Sequence, residues 1–194
     1  DGHAPGLSGE ALQKYVRAGI STDHECSTYA EGREKIGLGM KVSIREGSAA
    51  RNFEALIPLL KEYPEAVMFC SDDKHPDDLV RGHINAHVQR ALKLGHDPIA
   101  VLRAASLNPI KHYGLGVGLL QPGDPADFIV ISSLAEFALE AAYIGGLKVA
   151  ENGRSLIASQ PVAAINNFSC APLAAEAPPM PPPIPPKLNA DDVA

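Results

Sequence analysis

The sequence predicts an α/β protein: a run of parallel β/α units followed by a small β element. Three observations predict it. Strand-like and helix-like segments alternate through residues 1–112 at the pitch of β/α units. That alternation gives way at Tyr113 to short strands separated by Pro-Gly and Asn-Gly turns. Reactive side chains cluster at the C-terminal ends of successive predicted strands, where a parallel barrel builds its sites.

The opening stretch DGHAPGLSG carries His3 before any element has begun. In SGEALQKYVRAG, Ser8 reads as an N-cap, with Leu12, Tyr15 and Val16 on one face and Gly19 as the stop. A short strand ISTDHEC follows. Thr28 and Glu31 form a capping box for the helix YAEGREKIG. MKVSIREG alternates Met40, Val42 and Ile44 with Lys41, Ser43 and Arg45, the period of a strand. A helix from Asn52 to Glu62 leads at Pro64 into AVMFCSDD, a short bounded apolar run typical of buried parallel strands.

One long helix is expected over PDDLVRGHINAHVQRALKLG, with Leu79, Ile84, Val88, Ala91 and Leu92 along a stripe. Pro98 then opens the helix DPIAVLRAASLNP. LLQPGDPADFIVI reads as strand, turn, strand, and LKVAENGRSLI as a hairpin about Asn152-Gly153. The stretch from Ala171 holds eight of the chain's seventeen prolines, a polyproline-like linker or unfolded tail. The domain reading is therefore 1–112, 113–168 and a Pro-rich 169–194.

Composition excludes several function classes. With 45% hydrophobic and 21% charged residues among 194, the chain is globular. A formal net charge of -6 and the absence of Trp argue against a nucleic-acid partner. Cys26, Cys70 and Cys170 form no CxxC pair, as expected of reduced thiols in the cytoplasm. No apolar run is long enough for a membrane helix, and no basic-then-apolar leader is present.

The predicted strands end in His3, in Asp23-His24-Glu25, in Arg45-Glu46 and in Asp72-Asp73. Neutral imidazoles on adjacent strands can hold a divalent metal, and a carboxylate from another can complete the shell or act as a base. Taken singly, each has a plain structural reading: a terminal loop for His3, a buried hydrogen-bonded ring for His24, a helix cap for Asp72, a solvated pair for Arg45 and Glu46. Their common placement carries the argument. His83 and His87 stand i, i+4, but Ile84 occupies the position of a zinc protease's general base. His96 reads as a helix-end residue and His75 as a possible pocket lining. Gly37 and Gly39 precede no helix, so they do not make a phosphate loop.

DGHAPGLSG, AGISTDHEC, SIREGSAARN and CSDDKHPDDL, in this order, resemble the adenine deaminase family of the amidohydrolase superfamily. SLNPIKHYGL followed by LLQPGDPADFIVI is similar to the superfamily's passage from barrel to small β domain. The resemblance covers residues 1–168. It implies the second half of a TIM-like (β/α) metal-dependent hydrolase barrel, with a small β-sandwich element, in a chain that is a C-terminal piece of the enzyme and inactive alone. It further implies His3, His24 and Asp72 as metal ligands, Asp72 also as general base and acid, and Arg45, Glu46, Ser48 and Asp73 as purine contacts.

The His-x-His pair and bridging carboxylate of such enzymes are not found in this sequence. The implied cofactor is a binuclear Mn or Fe centre, with Zn as an alternative. The implied reaction is hydrolysis of adenine to hypoxanthine and ammonia in purine salvage, by a homo-oligomer when full length. A guanine, cytosine or dihydropyrimidine hydrolase, or a non-catalytic half-barrel, stays open as an alternative. The cytidine-deaminase type of zinc site is excluded, since no H-x-E precedes a P-C-x-x-C.

Overall fold

The computed structural model describes residues 1–161 and Ser169, so the end of the expected 113–168 domain and, Ser169 apart, the Pro-rich 169–194 lie outside the described residues. Residues Asp1–Ile157 form one unit by their contacts. Its elements run α1 (Gly9–Arg17), β1 (Thr22–Asp23), α2 (Tyr29–Gly37), β2 (Lys41–Arg45), α3 (Phe53–Leu56), α4 (Leu59–Glu62) and β3 (Val67–Cys70). There follow α5 (Pro76–Leu79), α6 (Ile84–Lys93), α7 (Pro98–Leu102), a π-helical turn (Arg103–Leu107) and α8 (Asn108–Tyr113). The last part is β4 (Phe128–Ile131), β5 (Leu139–Ile144), β6 (Leu147–Glu151) and β7 (Arg154–Ser155). The protein is thus mixed α/β, as the alternation of segments predicts.

β1, β2 and β3 pair side by side in parallel, and Gly2 adds a parallel bridge to Asp23. Each neighbour in this sheet is the next strand along the chain. Val42, Ile44, Val67 and Phe69 share a buried cluster with Phe53, Leu56, Leu59, Leu60, Val88, Val101 and Ala104 from the helices. Ser43, Arg45 and Met68 alternate with them and are buried as well. Both faces of the sheet are therefore covered, as parallel strands require. Asn108 locks the start of β3: its Nδ2 donates to Pro64 O at 2.7 Å and Val67 O at 2.8 Å.

Several elements differ from expectation, each for a local reason. The helix expected over 52–62 is two short helices, because Pro58 has no N–H to give the carbonyl of Glu54. The long helix expected over 76–95 breaks at Gly82, which sits at φ +157°. Of ISTDHEC only Thr22–Asp23 is in a ladder. Ser8 occupies the N-cap of α1 without a side-chain bond. The capping box is half formed: Thr28 Oγ1 accepts from Glu31 N at 3.2 Å, while Glu31 Oε2 accepts from Ser27 N at 2.9 Å.

LLQ is not a strand. Leu120 lies at φ +59°, and Leu119 N donates to Asp124 Oδ2 at 2.9 Å. β4 to β7 form one four-stranded antiparallel sheet. Asn152 and Gly153, at φ +48° and +76°, make the expected hairpin turn, and Gly145-Gly146 makes a second between β5 and β6. β5 was not expected. Asp127 ties this sheet's loops, its carboxylate accepting from Gly118 N at 2.9 Å and Gly145 N at 2.7 Å.

Candidate active site

The parallel register places the two histidines. Gly2 bridges Asp23, so the next residues of the two segments, His3 and His24, emerge side by side. Their ring centroids are 4.5 Å apart with the planes at 77°. His24 is 7% exposed, with Nδ1 3.5 Å from Asp1 Oδ1. Its Nε2 is buried and has no hydrogen-bond partner. The exposed His3 turns Nδ1 to 3.5 Å from Glu25 Oε2. One ligand atom from each of His3, His24 and Glu25 lies within 4.8 Å of the others. Two imidazoles and a carboxylate suit a divalent ion, and an orphaned buried imidazole nitrogen is the kind of atom such an ion satisfies.

Arg45 links this group to the end of β3. The register pairs Arg45 with Cys70, which brings its guanidinium beside the Ser71–Asp73 turn. Nη1 lies 3.2 Å from Glu25 Oε1, and Nη2 lies 2.7 Å from Asp72 Oδ2 and 3.3 Å from Asp73 Oδ1. Burial pulls this guanidinium's pKa down, but Asp72, Asp73 and Glu25 outweigh it and the net shift is upward. Asp72 itself sits in the left-handed region at φ +42°. It is not part of the 4.8 Å group, whose carboxylate among the described residues is Glu25.

The remaining expected contacts surround these. Desolvation raises the Asp73 carboxyl, but the Ala49 N–H and Arg45 prevail and hold it below the usual range; its Oδ2 accepts from Ala49 N at 3.1 Å. A Cβ on Gly47 would stand 1.6 Å from Asp73 Oδ1, so any larger residue there must push the Asp73 carboxylate aside. Ser48 Oγ donates to Asp78 Oδ2 at 2.6 Å and accepts from His75 N at 2.9 Å. Glu46 Oε2 takes Arg90 Nη1 at 3.0 Å. Arg90 in turn lies 4.3 Å over the Phe53 ring. His24, Glu25, Arg45, Glu46 and Arg90 line one cavity of about 540 Å³.

The structure therefore brings His3, His24, Arg45, Asp72 and Asp73 to one end of the parallel strands, with Glu46 on the cavity wall. The sequence reading names Glu25 at its strand end without giving it a role in the site, and it misses Asn52 and Arg90. Glu25 adjoins His24 and had that signal. Asn52 ends the motif SIREGSAARN, and its Oδ1 accepts from Arg45 N at 2.7 Å while Nδ2 donates to His24 O at 3.2 Å and Cys26 O at 3.0 Å. Arg90 carries no sequence signal, because only the tertiary packing of α6 brings it to Glu46.

The other histidines serve elsewhere. His83 Nε2 meets Ser71 Oγ at 2.8 Å, whereas His87 is buried against Phe69 with Nδ1 3.2 Å from His83 O. His83 Nε2 and His87 Nδ1 thus go to different partners, and His87 Nε2 is buried without one. His75 is the exposed N-cap of α5, without a side-chain bond to it. His96 follows α6, its pKa lowered by burial and by Lys61.

A model of the Amidohydrolase family matches residues 1–149. Over 168 residues the chain is 58% identical to an adenine deaminase of Sulfurovum sp. (strain NBC37-1), covering 87% of this chain and 32% of that protein. An adenine deaminase of Salinibacter ruber is 53% identical over 174 residues, 90% of this chain and 32% of that one. One from Methanosarcina mazei is 55% identical over 170 residues, 87% and 31%. The chain thus spans about a third of the length of the curated relatives it matches. Among solved structures, a β-aspartyl dipeptidase of Fervidobacterium islandicum AW-1 matches with TM-score 0.60 and 18% identity, over 81% of this chain and 48% of that one. At that identity the likeness speaks for the fold alone.

Proposed function

Because the chain belongs to the amidohydrolase family, we propose that the intact protein hydrolyses adenine to hypoxanthine and ammonia. In this reading, residues 1–112 supply the second half of the barrel, 113–168 part of a small β-sandwich domain, and 169–194 a linker. The consecutive parallel order of Gly2, β1, β2 and β3 supports the barrel, and the antiparallel β4–β7 sheet supports the second domain. The substrate is proposed from the adenine deaminases that the chain resembles at half identity or more.

His3 and His24 hold the metal, a binuclear Mn or Fe centre, with Glu25 beside them. A divalent ion there supplies Lewis-acid chemistry that brings a water's pKa towards neutrality. The chain's own residues do the rest. Asp72 takes the proton of the water that attacks C6 and delivers it to the departing amine. It is also proposed as a metal ligand, although its carboxylate here rests on Arg45. Arg45 spans Glu25 and Asp72 and so fixes the proton carrier relative to the histidines. Glu46 bonds the ring as charge develops, and Asp73, Arg45 and Ser48 face its edge. The cavity of about 540 Å³ lined by His24, Glu25, Arg45 and Glu46 has room for a purine, and Ser48, Asp72 and Asp73 lie outside its lining.

The observation that carries this reading is the continuous chain of side chains from the His3–His24 pair through Glu25 and Arg45 to Asp72 and Asp73. The test is incubation of the intact protein and Mn or Fe(II) with adenine, guanine, cytosine and a dihydropyrimidine in turn. Hypoxanthine and ammonia from adenine, with the others inert, support it. Turnover of another base in place of adenine would assign a different amidohydrolase. Purine salvage in the cytoplasm by a homo-oligomer belongs to the same proposal.

A further inference from the structure

We infer that Lys35 is a positioning residue for the metal centre: its buried ammonium ties the His3 segment to the His24 segment and sets the separation of the two imidazoles. The inference rests on the reading of His3 and His24 as metal ligands.

Lys35 lies on α2, and its side chain is 0% exposed. An ammonium has three hydrogens to give, and here each has an acceptor. Nζ donates to Ala4 O at 2.5 Å, to Asp23 Oδ2 at 2.5 Å and to Glu31 Oε1 at 2.7 Å. Ala4 directly follows His3, and Asp23 directly precedes His24. One cation therefore grips both segments, each next to its imidazole. The Gly2–Asp23 bridge alone would fix only their backbone register.

The carboxylate it holds organises the next turn too. Asp23 Oδ1 accepts from Glu25 N at 3.0 Å, and Cys26 Sγ reaches Oδ2 at 3.4 Å. His24 and Glu25, two of the three ligand-type groups at the site, are thus wrapped around the carboxylate that Lys35 fixes. Glu31 extends the same network to the opening loop, accepting from Gly6 N at 2.7 Å.

Stability alone does not explain a buried lysine here. Removing an ammonium and a carboxylate from water costs about what their attraction returns, and apolar groups of similar volume often serve as well. Apolar groups cannot hold a carbonyl and a carboxylate at fixed distances from one point. The cluster of Asp23, Cys26 and Glu31 has the spacing of a metal site, but Nζ already stands among those oxygens as the resident cation. Burial pulls the Lys35 ammonium down, yet Asp23 and Glu31 outweigh it and the net shift is upward, so it is charged at neutral pH.

The test uses the intact protein loaded with Co(II), followed by visible absorption and by titration of affinity. Lys35→Met alone strands the fully buried Asp23 carboxylate, so the informative variant is Lys35→Met with Asp23→Leu, which removes that pair and leaves Glu31 on the Gly6 and Ser27 amides. Its thermal melt is expected to remain cooperative, while Co(II) binds about 10- to 100-fold more weakly with an altered ligand-field spectrum. A folded double variant with wild-type affinity and spectrum would overturn the inference. So would a double variant that cannot fold, since the pair would then serve folding itself. His24→Ala separates the two readings. If it leaves Co(II) binding unchanged, the site assignment fails and the inference with it; if it abolishes binding while the double variant binds normally, only the role of Lys35 fails.

Discussion

Arg45 reaches Asp72 across the ends of β2 and β3, Nη2 to Oδ2 at 2.7 Å, while its other terminal nitrogen lies 3.2 Å from Glu25. This single guanidinium joins the histidine pair to the proposed proton carrier. Its position follows from the parallel register that sets Arg45 opposite Cys70.

Asp72→Asn is expected to keep the fold, because asparagine accepts the left-handed backbone that Asp72 adopts at φ +42°. In the intact enzyme it should lower kcat by about 10³-fold or more, through loss of the proton carrier. Asp73→Asn should act mainly on KM. Steady-state kinetics on both variants check this, and the reverse assignment of effects would exchange their roles.

Gly47→Ala tests the packing behind Asp73. A methyl there would fall 1.6 Å from Asp73 Oδ1, so the carboxylate must leave Ala49 N and Arg45. The expected outcome is an Asp73→Asn-like rise in KM with the melting temperature little changed. An unaltered KM would show that Asp73 is not held where the substrate binds.

Lys35→Met alone should destabilise the fold by about 3–5 kcal/mol, since it leaves the fully shielded Asp23 carboxylate without its cation. Urea unfolding measures the difference. A loss below about 1 kcal/mol would mean that water reaches Asp23 in the variant.

Much of this was legible in the sequence, and the reasons for the rest are local. Arg45 and Asp72 could be placed because each follows the close of an apolar run and parallel strands put such ends on one face, whereas His3 and His24 were placed by the motifs DGHAPGLSG and AGISTDHEC. Helix interruptions were harder to see. Ile84, Val88 and Ala91 keep helical phase, but Leu79 stands five residues and about 140° from Ile84, so the phase itself marks the break that a single helix over 76–95 runs through. Nothing local in YAEGREKIG reveals that Asp23 and Ala4 close over Lys35. β5 was hidden because LEAAYI is rich in helix-forming residues and becomes a strand only by pairing with β4 and β6. Asp72's attachment to Arg45, in place of the histidine pair, depends on a side-chain choice that spacing cannot encode.

Asp127 gives a pH dependence of known sign. The Gly118 and Gly145 amides stabilise its charged form and hold its pKa below the usual carboxylate value. The stabilisation is therefore present above about pH 3.9 and lost as pH falls through the lower folded value. Hydrogen exchange at Gly145 N should stay slow at neutral pH and quicken relative to other β5–β6 amides in acid. Asp127→Asn should remove that difference, and an acid response that persists in the variant would assign it to another group.

Cys26 and Cys70 should be inert in the native state. Burial pushes both thiols up to about 12, leaving almost no thiolate at neutral pH. Alkylation at pH 7.5 with peptide mapping is expected to spare both until denaturant is added. Rapid native labelling of Cys26 would show that the turn after His24 opens.

The central claim is that the His3–His24 end of the parallel strands holds the metal that adenine hydrolysis needs. The direct measurement is bound metal and hypoxanthine formation, taken together, for the intact protein and its His24→Ala variant after loading with Mn or Fe(II). The wild-type protein is expected to turn over in the ordinary enzyme range of about 1–10³ s⁻¹, and the variant to lose both metal and turnover while still melting cooperatively. A His24→Ala protein that keeps its metal and still forms hypoxanthine at the wild-type rate would contradict that claim.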